Sequence, residues 1–192
     1  MPFNLPIFLT WLRILAIPLL IAVYYVPESW LSGHGRDFLA TTLFCAAAAT
    51  DWLDGYLARK LNQTSAFGAF LDPVADKLMV AAALIMLVQL GRTDAIIASI
   101  IIGREITISA LREWMAQIGA HRSVAVSMIG KIKTTAQMAA IPLLFYVEPV
   151  AGIDVMAAGT WLIYLASVLT LWSMGYYMRM AWPEIIKRER QR

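Results

Sequence analysis

Two short stretches decide the fold class of this chain: residues 51–59, which read DWLDGYLAR, and residues 68–77, which read GAFLDPVADK. The first lies at the end of one long apolar segment, and the second lies at the start of the next. A charge near bilayer depth costs several kcal/mol unless it is paired or hydrated, so such residues usually mark function. The charges of interest are four aspartates: Asp51, Asp54, Asp72 and Asp76.

The composition of the whole chain is that of a membrane protein. Of the 192 residues, 60% are hydrophobic and 15% are charged, whereas soluble domains average about half apolar and about a quarter charged. Blocks of about 20 apolar residues are long enough to cross a bilayer. We therefore predict an all-α integral membrane protein, a bundle of six transmembrane helices with a cytoplasm-facing polar cavity, forming a single domain over residues 1–192. The predicted segments are residues 5–25, 38–57, 70–90, 93–111, 128–147 and 155–178.

The basic residues predict how the bundle is oriented. If the N-terminus is cytoplasmic, only Arg36 and Arg92 of the sixteen lysines and arginines lie on the outer side. The positive-inside rule therefore favours cytoplasmic N- and C-termini, with the aspartates at the cytoplasmic end. Because the basic residues fall between apolar blocks and do not cluster on a soluble module, we expect no nucleic-acid partner.

Helical spacing places the aspartates together. Asp51 and Asp54 are three residues apart, and Asp72 and Asp76 are four apart, so each pair follows one helix face. If the short connection folds the two segments antiparallel, both faces line one cavity. Four close carboxylates repel one another unless cations bind between them, and ligands that are all oxygen favour magnesium, manganese or calcium. The sequence thus predicts a divalent-metal site.

Other interpretations of the aspartates remain open. They could form structural ion pairs with Arg59, Lys60 and Lys77, although four aspartates on two facing stripes make this less favoured. A metal-ion transporter would need polar residues along the whole path across the bilayer, but the outer halves of the segments are almost purely apolar, with Asp94 alone near an outer end. A non-catalytic membrane scaffold would leave the aspartates unexplained.

The aspartate pattern carries a family resemblance. It reads D-x2-D-G-x2-A-R, eight residues, then G-x3-D-x3-D, and it resembles the signature of the CDP-alcohol phosphotransferases at every fixed position. The resemblance implies an enzyme that displaces CMP from a CDP-linked substrate, with two Mg²⁺ or Mn²⁺ ions held by the four aspartates and Asp76 also serving as the general base. The implied CDP-binding residues are Asp54, Gly55, Ala58, Arg59, Gly68 and Asp72.

Further motifs extend the resemblance over most of the chain: NLP at residues 4–6, LTWLRI at 9–14, REI at 104–106 and GKIKT at 130–134. They are similar to bacterial members of the family that use CDP-diacylglycerol as donor and glycerol 3-phosphate as acceptor. Ile7 departs from the pattern, since these members often have asparagine there. The resemblance implies a homodimer, surrounded by membrane lipids, in the bacterial inner membrane.

Four basic residues of the inner half predict where the acceptor phosphate binds: Arg104, Arg112, Lys131 and Lys133. Arginine forks and lysine point charges both bind phosphate well. Membrane anchoring remains an alternative for either lysine taken alone, and Glu105 could neutralise Arg104 in a purely structural pair. Serine, inositol phosphate and phosphatidylglycerol remain alternative acceptors, of which serine carries no phosphate and would need fewer of these cations.

Overall fold

The structure, a computed structural model, describes residues 5–60, 66–117 and 128–189, and within these ranges the chain forms six α-helices. The all-helical prediction and the order of the six segments are therefore confirmed. The helices are α1 (Leu5–Val23), α2 (Gly33–Lys60), α3 (Ala66–Gln89), α4 (Ala95–Gln117), α5 (Met128–Tyr146) and α6 (Val155–Glu189).

Four helices, α2, α3, α4 and α6, are longer than the apolar runs from which they were predicted. α2 begins at Gly33, five residues before the predicted start, because Ser32 caps it: the backbone N–H of Gly35 donates to Ser32 Oγ at 3.2 Å. α4 continues to Gln117 and α6 to Glu189. The residues that follow the apolar runs include arginine, glutamate, lysine and methionine, which are good helix formers, so the helices outlast the hydrophobic pattern.

The connection between α3 and α4 is a tight turn built by two residues. Gly91 adopts a positive φ of 69°, and the N–H groups of Arg92 and Gly91 donate to the carbonyls of Leu87 and Val88 at 2.9 and 3.0 Å. This is the Schellman arrangement that ends a helix. Asp94 then caps α4, since its Oδ1 accepts from the N–H of Ile96 at 2.7 Å.

The connection between α5 and α6 is equally defined. Val150 and Ile153 exchange backbone hydrogen bonds around Ala151 and Gly152, whose φ angles of 50° and 80° are those of a type I′ turn. Asp154 caps α6 through a 2.9 Å hydrogen bond from the N–H of Ala157 to its Oδ1. The end of α5 and the start of α6 are thus joined by a short turn held by hydrogen bonds.

The main apolar core lies at one end of the bundle. It is formed by the C-terminal halves of α1, α3 and α5 and the N-terminal halves of α2, α4 and α6, around Phe44, Leu84, Ile101, Ile141 and Phe145. Buried alanines such as those in α2 and α3 let the helices approach closely, which is how membrane helices gain packing energy. The opposite end of the bundle holds the charged residues singled out in the sequence.

α1 is the element that joins α2 to α3. It packs extensively against both of them, whereas the described parts of α2 and α3 contact each other only sparsely. In the described part of the chain, α1 is therefore the main link between α2 and α3.

One helix within the described residues, α6 over Val155–Pro183, is long and apolar enough to cross a membrane by length and composition, and Ile7–Val23 is a shorter apolar helix. Large apolar side chains are exposed along both, for example Leu15 in α1 and Trp161 and Trp172 in α6. Exposed apolar surface of this extent indicates contact with membrane lipid or another protein. Spanning by all six helices stays a prediction.

Candidate functional site

Asp51 and Asp72 converge on a buried arginine from α1. Nη1 of Arg13 lies 2.8 Å from Oδ1 of Asp51 and 3.1 Å from Oδ1 of Asp72. The Arg13 side chain is only 1% exposed, whereas the two aspartate side chains remain 39% and 40% exposed. One guanidinium therefore ties α1, α2 and α3 together while both carboxylates stay accessible.

Asp76 lies one helical turn further along α3. It is within electrostatic range of Asp51 and Arg13 on one side and of Glu105 on the other. With Arg13 it borders a small, mainly apolar pocket whose wall includes Phe44 and Met138. We refer to Asp51, Asp72 and Asp76, together with Arg13, as the aspartate cluster.

Several predicted site residues are described only as backbone. α2 runs without a break through Asp54, Gly55, Ala58 and Arg59, and α5 runs through Lys131, but these side chains lie outside the described part of the structure. Gly68 lies in the first turn of α3. Among the side chains that are described, no three of the types His, Cys, Asp and Glu lie close enough together to hold a metal ion. The four-aspartate site thus remains a prediction.

The described members of the aspartate cluster are nevertheless suited to a divalent cation. All three offer carboxylate oxygens, the donors that magnesium and manganese prefer. The Oδ1 atoms of Asp51 and Asp72 already converge on a single positively charged nitrogen. Their geometry is therefore that of oxygens arranged around a cation.

A second charged cluster joins α4, α5 and α6 at the same end of the bundle. Glu105 Oε1 accepts from Lys133 Nζ and lies 3.5 Å from Nη1 of Arg104. Arg104 also donates through Nη2 to Ser173 Oγ at 3.1 Å. Arg104 is 6% exposed and Lys133 is 1% exposed. Two of the predicted phosphate-binding cations are thus buried together around one glutamate.

Tyr177 brings the third predicted cation, Arg112, to the same place. Arg112 Nη2 donates to Tyr177 Oη at 3.3 Å. The guanidinium carbons of Arg104 and Arg112 lie 5.8 and 5.2 Å from the centroid of the Tyr177 ring, within the range of cation–π attraction. The fully buried ring therefore offsets part of the repulsion between two like charges. We refer to Arg104, Arg112 and Lys133, together with Glu105, as the cation cluster.

The cation cluster is short of hydrogen-bond acceptors and of negative charge. The Nε atoms of Arg104 and Arg112 are buried and have no hydrogen-bond partner among the described residues. Among the described residues, Glu105 pairs with Arg104 and Lys133 while Arg112 lies beside them on Tyr177, so these four charged residues carry an excess of two positive charges. Buried polar groups are nearly always satisfied, so unfilled donors of this kind indicate a place for a ligand. A phosphate monoester, with a charge of about −1.5 to −2 at neutral pH, complements it.

Sequence reasoning missed three residues that belong to these clusters or contact them: Arg13, Ser173 and Tyr177. Arg13 carried a usable signal, since it is a cation inside the first apolar segment, the same criterion that singled out Arg104. Ser173 and Tyr177 carried none, because a serine or tyrosine in an apolar helix is commonly a packing residue. Their roles depend on which face of α6 packs against α4.

Known proteins are similar in sequence to this chain over most of its length. A sequence profile described as CDP-alcohol phosphatidyltransferase matches residues 3–172. The chain is 48% identical over 188 residues, covering 97% of its length and 99% of the relative, to the CDP-diacylglycerol--glycerol-3-phosphate 3-phosphatidyltransferase of Escherichia coli (strain K12). The protein of the same name from Shigella sonnei (strain Ss046) gives the same values, and that from Shigella flexneri serotype 5b (strain 8401) is 47% identical over the same coverage.

Proposed function

Because the chain belongs to the CDP-alcohol phosphatidyltransferase family, we propose that it transfers the phosphatidyl group of CDP-diacylglycerol to glycerol 3-phosphate, giving phosphatidylglycerophosphate and CMP. The observation that carries this proposal is the meeting of two oppositely charged clusters at one end of the bundle. The aspartate cluster suits a metal-bound diphosphate, and the cation cluster suits a phosphate-bearing acceptor. Asp76 is within electrostatic range of both.

The donor is proposed to bind at the aspartate cluster. Two Mg²⁺ or Mn²⁺ ions there would stabilise the charge that develops on the phosphoryl and leaving oxygens. The convergence of Asp51 and Asp72 on one cationic nitrogen supports this assignment. The proposed metal ligands are Asp51, Asp54, Asp72 and Asp76, and the proposed CDP-binding residues are Asp54, Gly55, Ala58, Arg59, Gly68 and Asp72.

Asp76 is proposed to be the general base. Its carboxylate takes the proton of the acceptor hydroxyl as the hydroxyl oxygen bonds to the phosphorus of the phosphatidyl group. The bond from that phosphorus to the bridging oxygen breaks, and CMP leaves with the electron pair. The proximity of Asp76 to both Asp51 and Glu105 supports this role, because a base must reach the acceptor while the donor is in place.

The acceptor phosphate is proposed to bind Arg104, Arg112, Lys131 and Lys133. The excess positive charge and the unfilled arginine donors of the cation cluster favour a phosphate monoester over serine, which carries no net charge, and over phosphatidylglycerol, a monoanion. Inositol phosphate shares the same phosphate chemistry. The names of the relatives favour glycerol 3-phosphate between these two.

The proposed location is the bacterial inner membrane. All six helices would cross the membrane, the termini and both charged clusters would face the cytoplasm, and the chain would form a homodimer. The apolar core at the opposite end of the bundle supports this orientation.

In a Cys45→Ala background, an impermeant thiol reagent should label Ser32→Cys in intact cells and Gln117→Cys only after permeabilisation. The reverse pattern would invert the topology.

The reaction is tested by reconstituting the purified protein into vesicles with CDP-diacylglycerol and Mg²⁺ or Mn²⁺. Glycerol 3-phosphate, serine, inositol phosphate and phosphatidylglycerol are offered separately while CMP release is followed. We expect release with glycerol 3-phosphate. Absence of release with every acceptor would exclude the transferase, and release with serine but not glycerol 3-phosphate would exclude the proposed acceptor. Mn²⁺ uptake into the vesicles without CMP release would instead favour a transporter.

A further inference from the structure

Arg13 occupies an unusual electrostatic position. Its side chain is almost fully buried, yet its Nη1 is shared between Oδ1 of Asp51 and Oδ1 of Asp72, which belong to different helices. The pocket beside it is lined mainly by apolar side chains such as Phe44, Met79 and Met138. A guanidinium removed from water in this way is stabilised strongly by the carboxylates that pair with it.

Arg13 does not neutralise the aspartate cluster. One positive charge faces the carboxylates of Asp51, Asp72 and Asp76, so an excess of two negative charges remains among the described residues. Without any cation between them, Asp51 and Asp72 would repel each other across the gap between α2 and α3. Arg13 therefore holds the two helices in position while leaving a net charge that suits a divalent ion.

A divalent ion and Arg13 would draw on the same oxygen atoms. Magnesium approaches its oxygen ligands to about 2.0–2.1 Å, so an ion on Asp51 or Asp72 would lie close to the guanidinium. The two cations repel, and each weakens the hold of the other on the carboxylates. Coupling between two bound charges is reciprocal. If a metal ion weakens the binding of Arg13 to the carboxylates, then Arg13 weakens the binding of the metal ion by the same factor.

We infer that Arg13 is an internal counter-ion that stands in for the metal in the metal-free protein and competes with it for the carboxylates of Asp51 and Asp72. This inference rests on the metal site of the proposed function. Arg13 is thereby a positioning residue: it keeps the aspartates of α2 and α3 together until the ion arrives.

The test compares wild-type protein with Arg13→Gln in lipid nanodiscs. Mn²⁺ affinity is measured from the electron paramagnetic resonance signal of free Mn²⁺, and the melting temperature is measured in chelator and in saturating Mn²⁺, so neither readout depends on turnover. We expect Arg13→Gln to bind Mn²⁺ about tenfold more tightly, because a nearby like charge has been removed. Its melting temperature should fall in chelator and largely recover in Mn²⁺.

Arg92→Gln is the matched control. It removes another arginine, one whose side chain is 16% exposed, at the opposite end of the bundle, where Arg92 pairs with Asp37. The decrease in its melting temperature relative to wild type should be the same in chelator as in Mn²⁺. Its affinity for Mn²⁺ should be unchanged. The contrast separates competition with the metal from the general cost of removing a buried charge.

The outcomes separate this inference from the proposed function. Wild-type binding of Mn²⁺ combined with unchanged or weaker binding by Arg13→Gln overturns the inference alone. Failure of the wild type to bind Mn²⁺ overturns both. If Arg13→Gln does not fold in either condition, Arg13→Lys decides, because lysine keeps the positive charge but its shorter side chain carries that charge less far toward the two carboxylates. Its loss of melting temperature should again be larger in chelator, and equal losses in both conditions would overturn the inference.

Discussion

Two arginines at opposite ends of the bundle, Arg92 and Arg104, differ in how completely they are paired. Arg92 donates through Nη2 to both oxygens of Asp37 at 2.8 and 2.7 Å and through Nη1 to the carbonyl of Phe145 at 2.7 Å. Tyr24 adds a hydrogen bond to Asp37 at 3.1 Å. We call this group the Arg92 clasp. Arg104, in contrast, shares one glutamate with Lys133, and its Nε has no partner among the described residues.

The difference separates an anchor from a binding group. The Arg92 clasp fastens the α3–α4 turn to α2 and to the C-terminal end of α5, and its bonds leave little for a ligand to add. The cation cluster contains unpaired N–H donors and uncompensated positive charge among the described residues. Both lower the stability of the fold unless a ligand pairs with them. Substitutions in the clasp should therefore reduce stability, and substitutions in the charged clusters should reduce activity.

The largest expected effect on activity comes from Asp76→Asn. It should lower CMP release by about a thousandfold, as expected for loss of a general base, while the melting temperature changes little. The matched control is Asp37→Asn in the Arg92 clasp, which should lower the melting temperature and leave the turnover of the folded protein near that of wild type. Activity retained by Asp76→Asn would mean that another group takes the proton.

Arg92→Gln should give the largest loss of stability. Breaking a buried ion pair and leaving one partner uncompensated costs about 3–5 kcal/mol. Denaturant unfolding in detergent measures the loss, and initial rates of CMP release measure the activity of the fraction that remains folded. Reduced kcat/KM with undiminished stability would show that the clasp belongs to the active site.

Lys133→Gln should act on the acceptor. Hydrogen bonds to charged groups are worth about 1.5–3 kcal/mol, so the KM for glycerol 3-phosphate should rise about 10- to 100-fold. The KM for CDP-diacylglycerol should stay nearly constant, because Lys133 belongs to the cation cluster and not to the aspartate cluster. An equal rise for both substrates would indicate a loss of structure and not of acceptor binding.

Tyr177→Phe should have the smallest effect. The ring, and with it the attraction for both arginines, is retained, but the hydrogen bond from Arg112 Nη2 to the hydroxyl is lost. A single hydrogen bond of this kind is worth about 1 kcal/mol, so the KM for glycerol 3-phosphate should rise about fivefold. Tyr177→Leu, which also removes the ring, should raise it further. Equal KM values in the two variants would exclude a positioning role for the ring.

Much of the architecture follows from local sequence patterns. Apolar runs predicted all six helices. The three- and four-residue spacings predicted that each aspartate pair shares a helix face, and the positions of the pairs in consecutive segments predicted a common end of the bundle. The ends of α4 and α6 were not predicted, because the helices continue through polar residues that no apolar pattern marks. The bridge formed by Arg13 could not be derived either, since it depends on α1 packing against both α2 and α3.

The two ends of the bundle are alike in what the sequence revealed of their charges: the charged residues, but not their pairing. Arg104, Arg112 and Lys133 were recognisable one by one as cations near apolar segments. Their convergence on Tyr177 and Glu105 depends on the rotation of α4, α5 and α6 about their axes, which periodicity leaves open. The bond of Arg92 to Asp37 is of the same kind: both charges are visible in the sequence, but their pairing is a product of the tertiary fold.

The most direct test of the proposed reaction measures whether glycerol 3-phosphate is incorporated into a lipid product. Vesicles containing the protein, CDP-diacylglycerol and Mn²⁺ are supplied with isotopically labelled glycerol 3-phosphate, and the lipids are analysed by mass spectrometry alongside CMP. We predict one labelled phosphatidylglycerophosphate for each CMP released, and about a thousandfold slower formation of both products with Asp76→Asn. Release of CMP without label in the lipid would contradict the account, because the two clusters would then not bring donor and acceptor together.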